Sequence, residues 1–286
     1  MNTDEITDPL FRQAVAAIGT GDITQLEILL ADHPKLVKER INLPEEGYFK
    51  NPYLIWFVAD NPIRLGKLPA NILQVLAILI EAVKREGGDT VQAQLDYTLV
   101  LVATGRTPRE CGAQTDMIDL LIDSGARPGN GDGAIAHGNI DAAKNLIRRG
   151  GKLTLPTAVV LGLSTDISQM APAAGRDEQL AALTAAAFYG KTEIIAYLLS
   201  LSVDPNGYPA GDSGFHQHAT PLHQAVCSGS LESVKLLVEA GADLYAKDKA
   251  YGGTPLGWAI YMPTEEGRDE TARARYKLIE DYLISR

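Results

Sequence analysis

Apolar residues recur along much of the chain at intervals of three and four positions, the spacing typical of amphipathic helices. The clearest case lies in the C-terminal half, where Leu236 widens an apolar row formed by Leu231, Val234, Leu237 and Val238. This row predicts a helix with one buried face.

Capping residues and glycines mark the ends of this helix and of a shorter one before it. Thr220 can cap the shorter helix, whose first residue is Pro221, because the proline needs no N–H bond at that position. Gly229 can end that helix in the left-handed conformation, and Ser230 can start the longer one. Gly241 closes the longer helix. The pattern predicts two short helices joined by a tight turn.

The same rhythm of glycine, cap and apolar row recurs toward the N-terminus with decreasing fidelity. Glycines equivalent to Gly229 fall at Gly190, Gly138 and Gly21. Three less regular helical pairs are predicted between them, in residues 49–90, 92–129 and 153–177. The second of these pairs carries an insertion, residues 105–115, predicted as a loop at the end of the helix pair opposite the other connections.

The distance between two Thr-Pro-Leu triplets indicates the length of the repeat. They begin at Thr220 and Thr254, 34 positions apart, and the first reads Thr-Pro-Leu-His-Gln-Ala. This segment closely resembles the ankyrin repeat, whose signature is T-P-L-H-x-A at a period of about 33 residues. The resemblance implies an all-α, ankyrin-repeat solenoid of about eight stacked helix-turn-helix repeats with short hairpin loops and a terminal capping helix.

We expect one ankyrin-repeat domain over residues 1–286, because each repeat in such an array packs mainly on its neighbours. The approximate repeats are 8–48, 49–91, 92–129, 130–152, 153–177, 178–212, 213–248 and 249–286. The last helix, roughly residues 266–284, is interpreted as the cap, with a membrane-surface helix as the alternative. Its apolar row is Tyr276, Ile279 and Leu283.

Composition narrows the class of protein. The 286 residues are 45% hydrophobic and carry a net charge of −10, which favours a folded chain and disfavours nucleic-acid binding. The most apolar stretch, residues 68–83, is short for a bilayer and predicts a buried helix instead of membrane insertion. An acidic N-terminus without a secretory pattern and only two cysteines lead us to expect a cytoplasmic location. We expect a monomer.

Motifs that would mark an enzyme do not occur. The sequence lacks the phosphate-binding loop, the dinucleotide-binding glycines, the H-E-x-x-H zinc motif and the G-x-S-x-G elbow. Cys111 lies near arginines in the 105–115 insertion, but Arg109 and Glu110 can simply anchor that loop by an ion pair. An anion-binding or structural role is therefore expected there, with a catalytic cysteine as the alternative. The glycines of residues 129–133 are interpreted as a turn before a short helix. A non-enzymatic protein without a cofactor is expected.

In ankyrin arrays, the resemblance implies, a partner binds the hairpin tips and the exposed side of each first helix. The positions just before each marker glycine are therefore candidates, and so are the aromatic residues of the tips. The predicted partner-binding residues are Phe188, Tyr189, Tyr208, Phe215, His216, His218, Cys227, Tyr251, Tyr261 and Met262. Such a groove would receive a segment of a protein or peptide partner. The alternative is that these aromatic residues turn inward and fill the core.

Three histidines lie close together in residues 216–223. The resemblance implies that His223 joins adjacent hairpins by hydrogen bonds and caps its helix. His216 and His218 then remain as a pair, with Asp212 as a third candidate metal ligand, whereas zinc normally takes three or four protein ligands. We predict no metal site. The open alternatives are a small-molecule or metal-binding protein with hydrolytic chemistry in loop 206–219, and an effector delivered into another cell.

Overall fold

The computed structural model describes residues 6–42, 47–210, 215–264 and 269–286. These residues form helices and turns and no β-strand, so the predicted all-α class is confirmed. They group into two compact units, Met1–Lys152 and Leu153–Arg286. The single array over residues 1–286 and its repeat boundaries stay predictions.

The N-terminal unit contains four helical pairs. Short first elements pack side by side in one row, and the second elements form another row against them. The first row is α1 (Pro9–Thr20), the 3₁₀ helix Leu54–Ala59, α5 (Val91–Thr104) and α8 (Asp132–Ala136). The second row is α2 (Ile23–Asp32), α4 (Ile72–Glu86), α7 (Gln114–Asp123) and α9 (Ile140–Arg148). Of two further short helices, α3 (Lys35–Lys38) lies between the first and second pairs, and α6 (Arg106–Glu110) lies within the third pair, between α5 and α7.

The C-terminal unit repeats the two-row arrangement. Its first row is α10 (Leu155–Leu161), α12 (Arg176–Phe188), α14 (Pro221–Ser228) and α16 (Pro255–Tyr261). The helices that follow them are α11 (Ser164–Met170), α13 (Thr192–Ser200), α15 (Leu231–Glu239) and α17 (Glu270–Ile284). Helix α12 packs against α10 and α14, and its run of buried alanines allows the close approach. Small side chains thus set the spacing of this row.

The caps of the α14–α15 pair lie where the sequence predicts them. The Thr220 hydroxyl accepts a hydrogen bond from the amide of His223, and Ser230 caps α15 in the same way. Gly229 has a φ of 69°, a left-handed conformation that a side chain would strain. Val234 and Leu237 are fully buried, which confirms the predicted apolar face of α15.

Two predicted elements differ from the structure. The helix predicted over residues 68–83 begins at Ile72 and continues to Glu86. Asn71, at the N-cap position, makes no side-chain capping bond and instead donates a hydrogen bond to the carbonyl of Gly21 in the neighbouring pair. The contact is tertiary, so the sequence pattern does not contain it.

The 105–115 insertion, predicted as a loop, contains helix α6. Arg106 Nε lies 2.7 Å from Glu110 Oε1, one turn away, so Glu110 pairs with Arg106 and not with Arg109. Arg109 instead donates to Asn139 Oδ1 at 2.8 Å and so joins the insertion to the start of α9. The suggested Arg109–Glu110 pair is therefore wrong.

The predicted cap is described from residue 269 onward. The predicted residues 266–268 lie outside the described residues, and α17 begins at Glu270, capped by Asp269. Tyr276, Ile279 and Leu283 are buried against the preceding helices, as the apolar row predicts.

We expect Leu237→Ala to lower the free energy of unfolding by about 2–5 kcal/mol, because a fully buried leucine leaves a cavity in close-packed surroundings. Urea denaturation followed by circular dichroism measures this change. Leu278→Ala is the control, since that leucine is exposed on α17, and it should shift the free energy by roughly 0.5 kcal/mol or less. Equal losses in the two variants would contradict the assigned face of α15.

Candidate functional site: an aromatic cavity in the C-terminal unit

The loop between α15 and α16 is organised by one carboxylate. Asp248 Oδ1 accepts hydrogen bonds from the amides of Ala250 (2.9 Å) and Tyr251 (2.7 Å). Its Oδ2 accepts from the Gly253 amide (2.7 Å) and from the indole Nε1 of Trp258 (3.1 Å). Burial raises the pKa of Asp248, but these hydrogen bonds outweigh it and hold the pKa below its ordinary value. Asp248 is therefore an anion with four donors.

Gly253 is required by this arrangement. A Cβ at that position would lie 2.9 Å from Asp248 Oδ2, closer than real Cβ contacts, and 3.1 Å from the Trp258 ring, tighter than most of them. The absence of a side chain lets the loop return directly beneath the indole. The α15–α16 loop and helix α16 are thus in contact where Gly253 lies against Trp258.

His223 joins this loop to the preceding repeat. Its Nε2 lies 3.0 Å from the carbonyl oxygen of Gly253, which can only accept, so Nε2 carries the ring proton. Nδ1 then accepts from the Thr220 hydroxyl at 2.8 Å. The hydrogen bonds that the resemblance implied for His223 are therefore present, and burial lowers its pKa from the ordinary value.

A cavity of about 650 Å³ opens beside this loop. Four predicted partner-binding residues line it, namely His218, Tyr251, Tyr261 and Met262. Asp248, Gly253, Gly257 and Trp258 complete the lining. Tyr251 is 91% exposed and Tyr261 is 62% exposed, so two of its aromatic rings face solvent. We call this the C-terminal cavity.

None of the other four lining residues was predicted, and two of them, Asp248 and Trp258, contribute a carboxylate and an indole ring. A signal for Trp258 exists in the 34-residue offset, which places Gly257 at the position of His223 and Trp258 at that of Gln224. Where the first motif has a histidine, the second has no side chain. The indole lies 5.0 Å from the His223 ring, edge to face, and covers it.

Other predicted residues form a second cluster beside α12. The rings of Phe188 and His216 are 4.6 Å apart, and Phe215 lies 5.9 Å from Phe188 and 4.6 Å from His216. Tyr189 packs edge-on against Phe188 at 5.0 Å. The prediction of Phe215 as an exposed tip residue is corrected, because only 1% of its surface is accessible. Phe215 anchors the loop and does not face a partner.

Tyr208 and Cys227 do not line the C-terminal cavity. The Tyr208 hydroxyl donates to the Lys247 carbonyl at 2.6 Å, and the ammonium of Lys249 lies 4.3 Å from the ring centre. Cys227 is half-buried, and its carbonyl accepts a hydrogen bond from Tyr276 of α17. Both positions serve contacts between neighbouring repeats.

The histidine pair lies at the edge of the cavity. The His216 and His218 rings are 5.8 Å apart, and His218 lies 6.2 Å from Trp258. Within the described ranges, no three histidine, cysteine or carboxylate side chains converge as metal ligands. Asp212, the suggested third ligand, lies outside the described residues. In those same ranges, no helix is both long and apolar enough to span a bilayer.

Comparison with known proteins identifies the repeat. Residues 132–248 match the family model of ankyrin repeats, three copies. This segment of the chain consists of ankyrin repeats, as the Thr-Pro-Leu-His motif indicated. Ankyrin repeats generally mediate protein–protein interaction, and the family is typically non-enzymatic.

The similar curated proteins match only in part. Protein phosphatase 1 regulatory subunit 27 of Homo sapiens is 48% identical over 64 residues, 22% of this chain and 33% of that protein. The potassium channel GORK of Arabidopsis thaliana is 35% identical over 92 residues, 32% of this chain and 9% of the channel. An ankyrin repeat-containing protein of Schizosaccharomyces pombe is 38% identical over 71 residues, 25% and 31% of the two chains. The chain thus spans a third or less of these relatives.

The lowered pKa of His223 predicts a pH-dependent stability. Above the ordinary value of about 6.5 the ring is neutral in both states, whereas below it the unfolded chain takes up a proton that the folded chain resists. We therefore expect stability to fall as the pH drops below about 6.5, by at most about 1.4 kcal/mol per pH unit.

The test compares urea denaturation of the wild type and His223→Gln at about pH 7.5 and about pH 5.5. The variant is less stable at both values but loses less between them. His137→Gln, which removes an exposed histidine of the N-terminal unit, is the matched control and keeps the wild-type loss. Equal pH-dependent losses in the wild type and His223→Gln would contradict the assignment.

Proposed function

We propose that this protein is a non-enzymatic interaction module that binds a segment of a protein partner in the C-terminal cavity. The observation that carries the proposal is the exposure of Tyr251 and Tyr261 around a preformed concavity. Exposed aromatic rings beside a cavity are typical of residues that contribute most to binding.

The loop that carries Tyr251 is already ordered. Asp248 holds its backbone by three amide hydrogen bonds, so little conformational entropy remains to be lost when a partner binds. The loop is therefore preorganised for binding and does not have to be ordered by the partner.

The hydrogen bonds of Asp248 and His223 favour a binding function over a catalytic one. Asp248 accepts four hydrogen bonds as an anion, and His223 uses both ring nitrogens in the scaffold. Neither group has a free position from which to move a proton to or from a substrate. That the human relative is named a regulatory subunit supports a role in assembly.

We propose that the binding surface continues from the cavity toward α12. Ring centres follow one another from Trp258 to His218, His216 and Phe188 at 6.2, 5.8 and 4.6 Å. A partner segment in extended conformation would pass along these rings. Phe188 and Tyr189 are half-buried and would form the far end of the groove.

The proposal is tested by selecting peptides from an unbiased display library on the immobilised chain. Selected peptides are titrated against the wild type and against Tyr251→Ala/Tyr261→Ala by calorimetry. We expect the double variant to bind roughly tenfold more weakly or worse, because truncating aromatic anchors removes most of their contact area. Tyr245→Ala is the control, since Tyr245 is 79% exposed but does not line the cavity.

The outcome that would sink the proposal is equal affinity for the double variant and the wild type. Failure to select any peptide would also contradict binding of a short segment. Circular dichroism of each variant verifies that its fold is unchanged.

A further inference from the structure

The walls of the C-terminal cavity are rich in π-electron faces. Tyr251, Trp258 and Tyr261 contribute three rings, and Met262 adds a polarisable sulfur. The face of an aromatic ring is electronegative and attracts cations, most strongly for tryptophan. The volume, about 650 Å³, lies within the range of about 300–1,000 Å³ typical of ligand sites.

A formal negative charge lies in the same wall. Asp248 lines the cavity, and hydrogen bonding keeps its pKa below the ordinary value, so it is ionised at neutral pH. All four of its donors are neutral N–H groups, three from the backbone and one from an indole. They satisfy its lone pairs without cancelling its charge, and a buried charge acts over short distances with little screening.

The described residues of the cavity wall contribute no lysine or arginine to balance this charge. Lys249 is the only basic residue between positions 248 and 262, and its ammonium lies 4.3 Å from the centre of the Tyr208 ring, outside the lining. The chain as a whole carries a net charge of −10, which adds attraction for a basic partner.

We propose that the C-terminal cavity binds a cationic side chain of the partner, a lysine ammonium or an arginine guanidinium, between the aromatic rings and beside Asp248. The inference rests on the proposed function, because it names the chemistry of the segment that the same cavity receives. An acidic segment would meet Asp248 as a like charge. A wholly apolar segment would displace water from the Asp248 carboxylate and offer no polar group in its place, which costs free energy.

The first experiment uses small probes that carry only the recognised group. N-acetyl-lysine methylamide and N-acetyl-arginine methylamide are compared with the neutral analogues of norleucine and citrulline. Binding is followed by the NMR signal of the Trp258 indole N–H. Trp56, the other tryptophan of the chain, is buried in the N-terminal unit and serves as the internal reference.

We expect each cationic probe to bind roughly threefold to tenfold more tightly than its neutral analogue, since the analogue keeps most of the side chain and lacks the charge. Rising salt concentration should reduce this difference. Equal affinities within each pair, or shifts at Trp56 as large as at Trp258, would overturn the inference.

The second experiment separates the π face from apolar area at one position. Tyr261→Phe keeps the ring and should keep the preference for cations, whereas Tyr261→Leu keeps apolar bulk and should reduce that preference about threefold or more. Tyr245→Leu, outside the cavity, should have no effect. If Tyr261→Leu weakens cationic and neutral probes equally, the ring acts only as an apolar wall and the inference fails.

The two proposals fail in distinguishable ways. Library peptides that depend on Tyr251 and Tyr261 but contain no lysine or arginine would overturn the cationic inference and leave the interaction groove standing. Cationic probes that shift Trp258 while no selected peptide depends on these tyrosines would support a cation site and contradict the proposed function.

Discussion

The C-terminal unit depends on a buried, neutral imidazole. His223 accepts a hydrogen bond from the Thr220 hydroxyl at Nδ1 and donates one from Nε2 to the Gly253 carbonyl, so it joins the start of one helix to the loop of the next repeat. Without it, the Gly253 carbonyl and the Thr220 hydroxyl would need other partners in a region closed to water. The position of the following loop, and hence of the cavity, follows from this bridge.

Features encoded by neighbouring residues could be predicted from the sequence. The Thr220 cap, the left-handed Gly229 and the apolar face of α15 depend on contacts within one turn of helix, and all three lie where predicted. The repeat then extended that local pattern along the chain. Four of the eight cavity-lining residues followed from the groove that the ankyrin resemblance implied.

Features that depend on distant contacts could not be predicted. Phe215 is buried with Phe188 of helix α12 against it, whereas the loop sequence alone suggested an exposed tip. Asp248 reads as a turn residue, and its role becomes visible only when Trp258 comes to it from helix α16. Asn71 likewise looked like an ordinary position of a helix until its bond to Gly21 was known.

The four-donor carboxylate of Asp248 has a consequence for how this surface could change. The loop conformation is specified by Asp248 and by Gly253, neither of which contributes a ring to the cavity. Tyr251 contributes its backbone amide to that conformation, and any residue except proline has the same amide. The side chain at position 251 therefore faces the cavity, whereas backbone amides and the Asp248 carboxylate fix the conformation of the loop. A lineage could exchange the side chain at position 251, and with it the choice of partner, while the repeat keeps its shape.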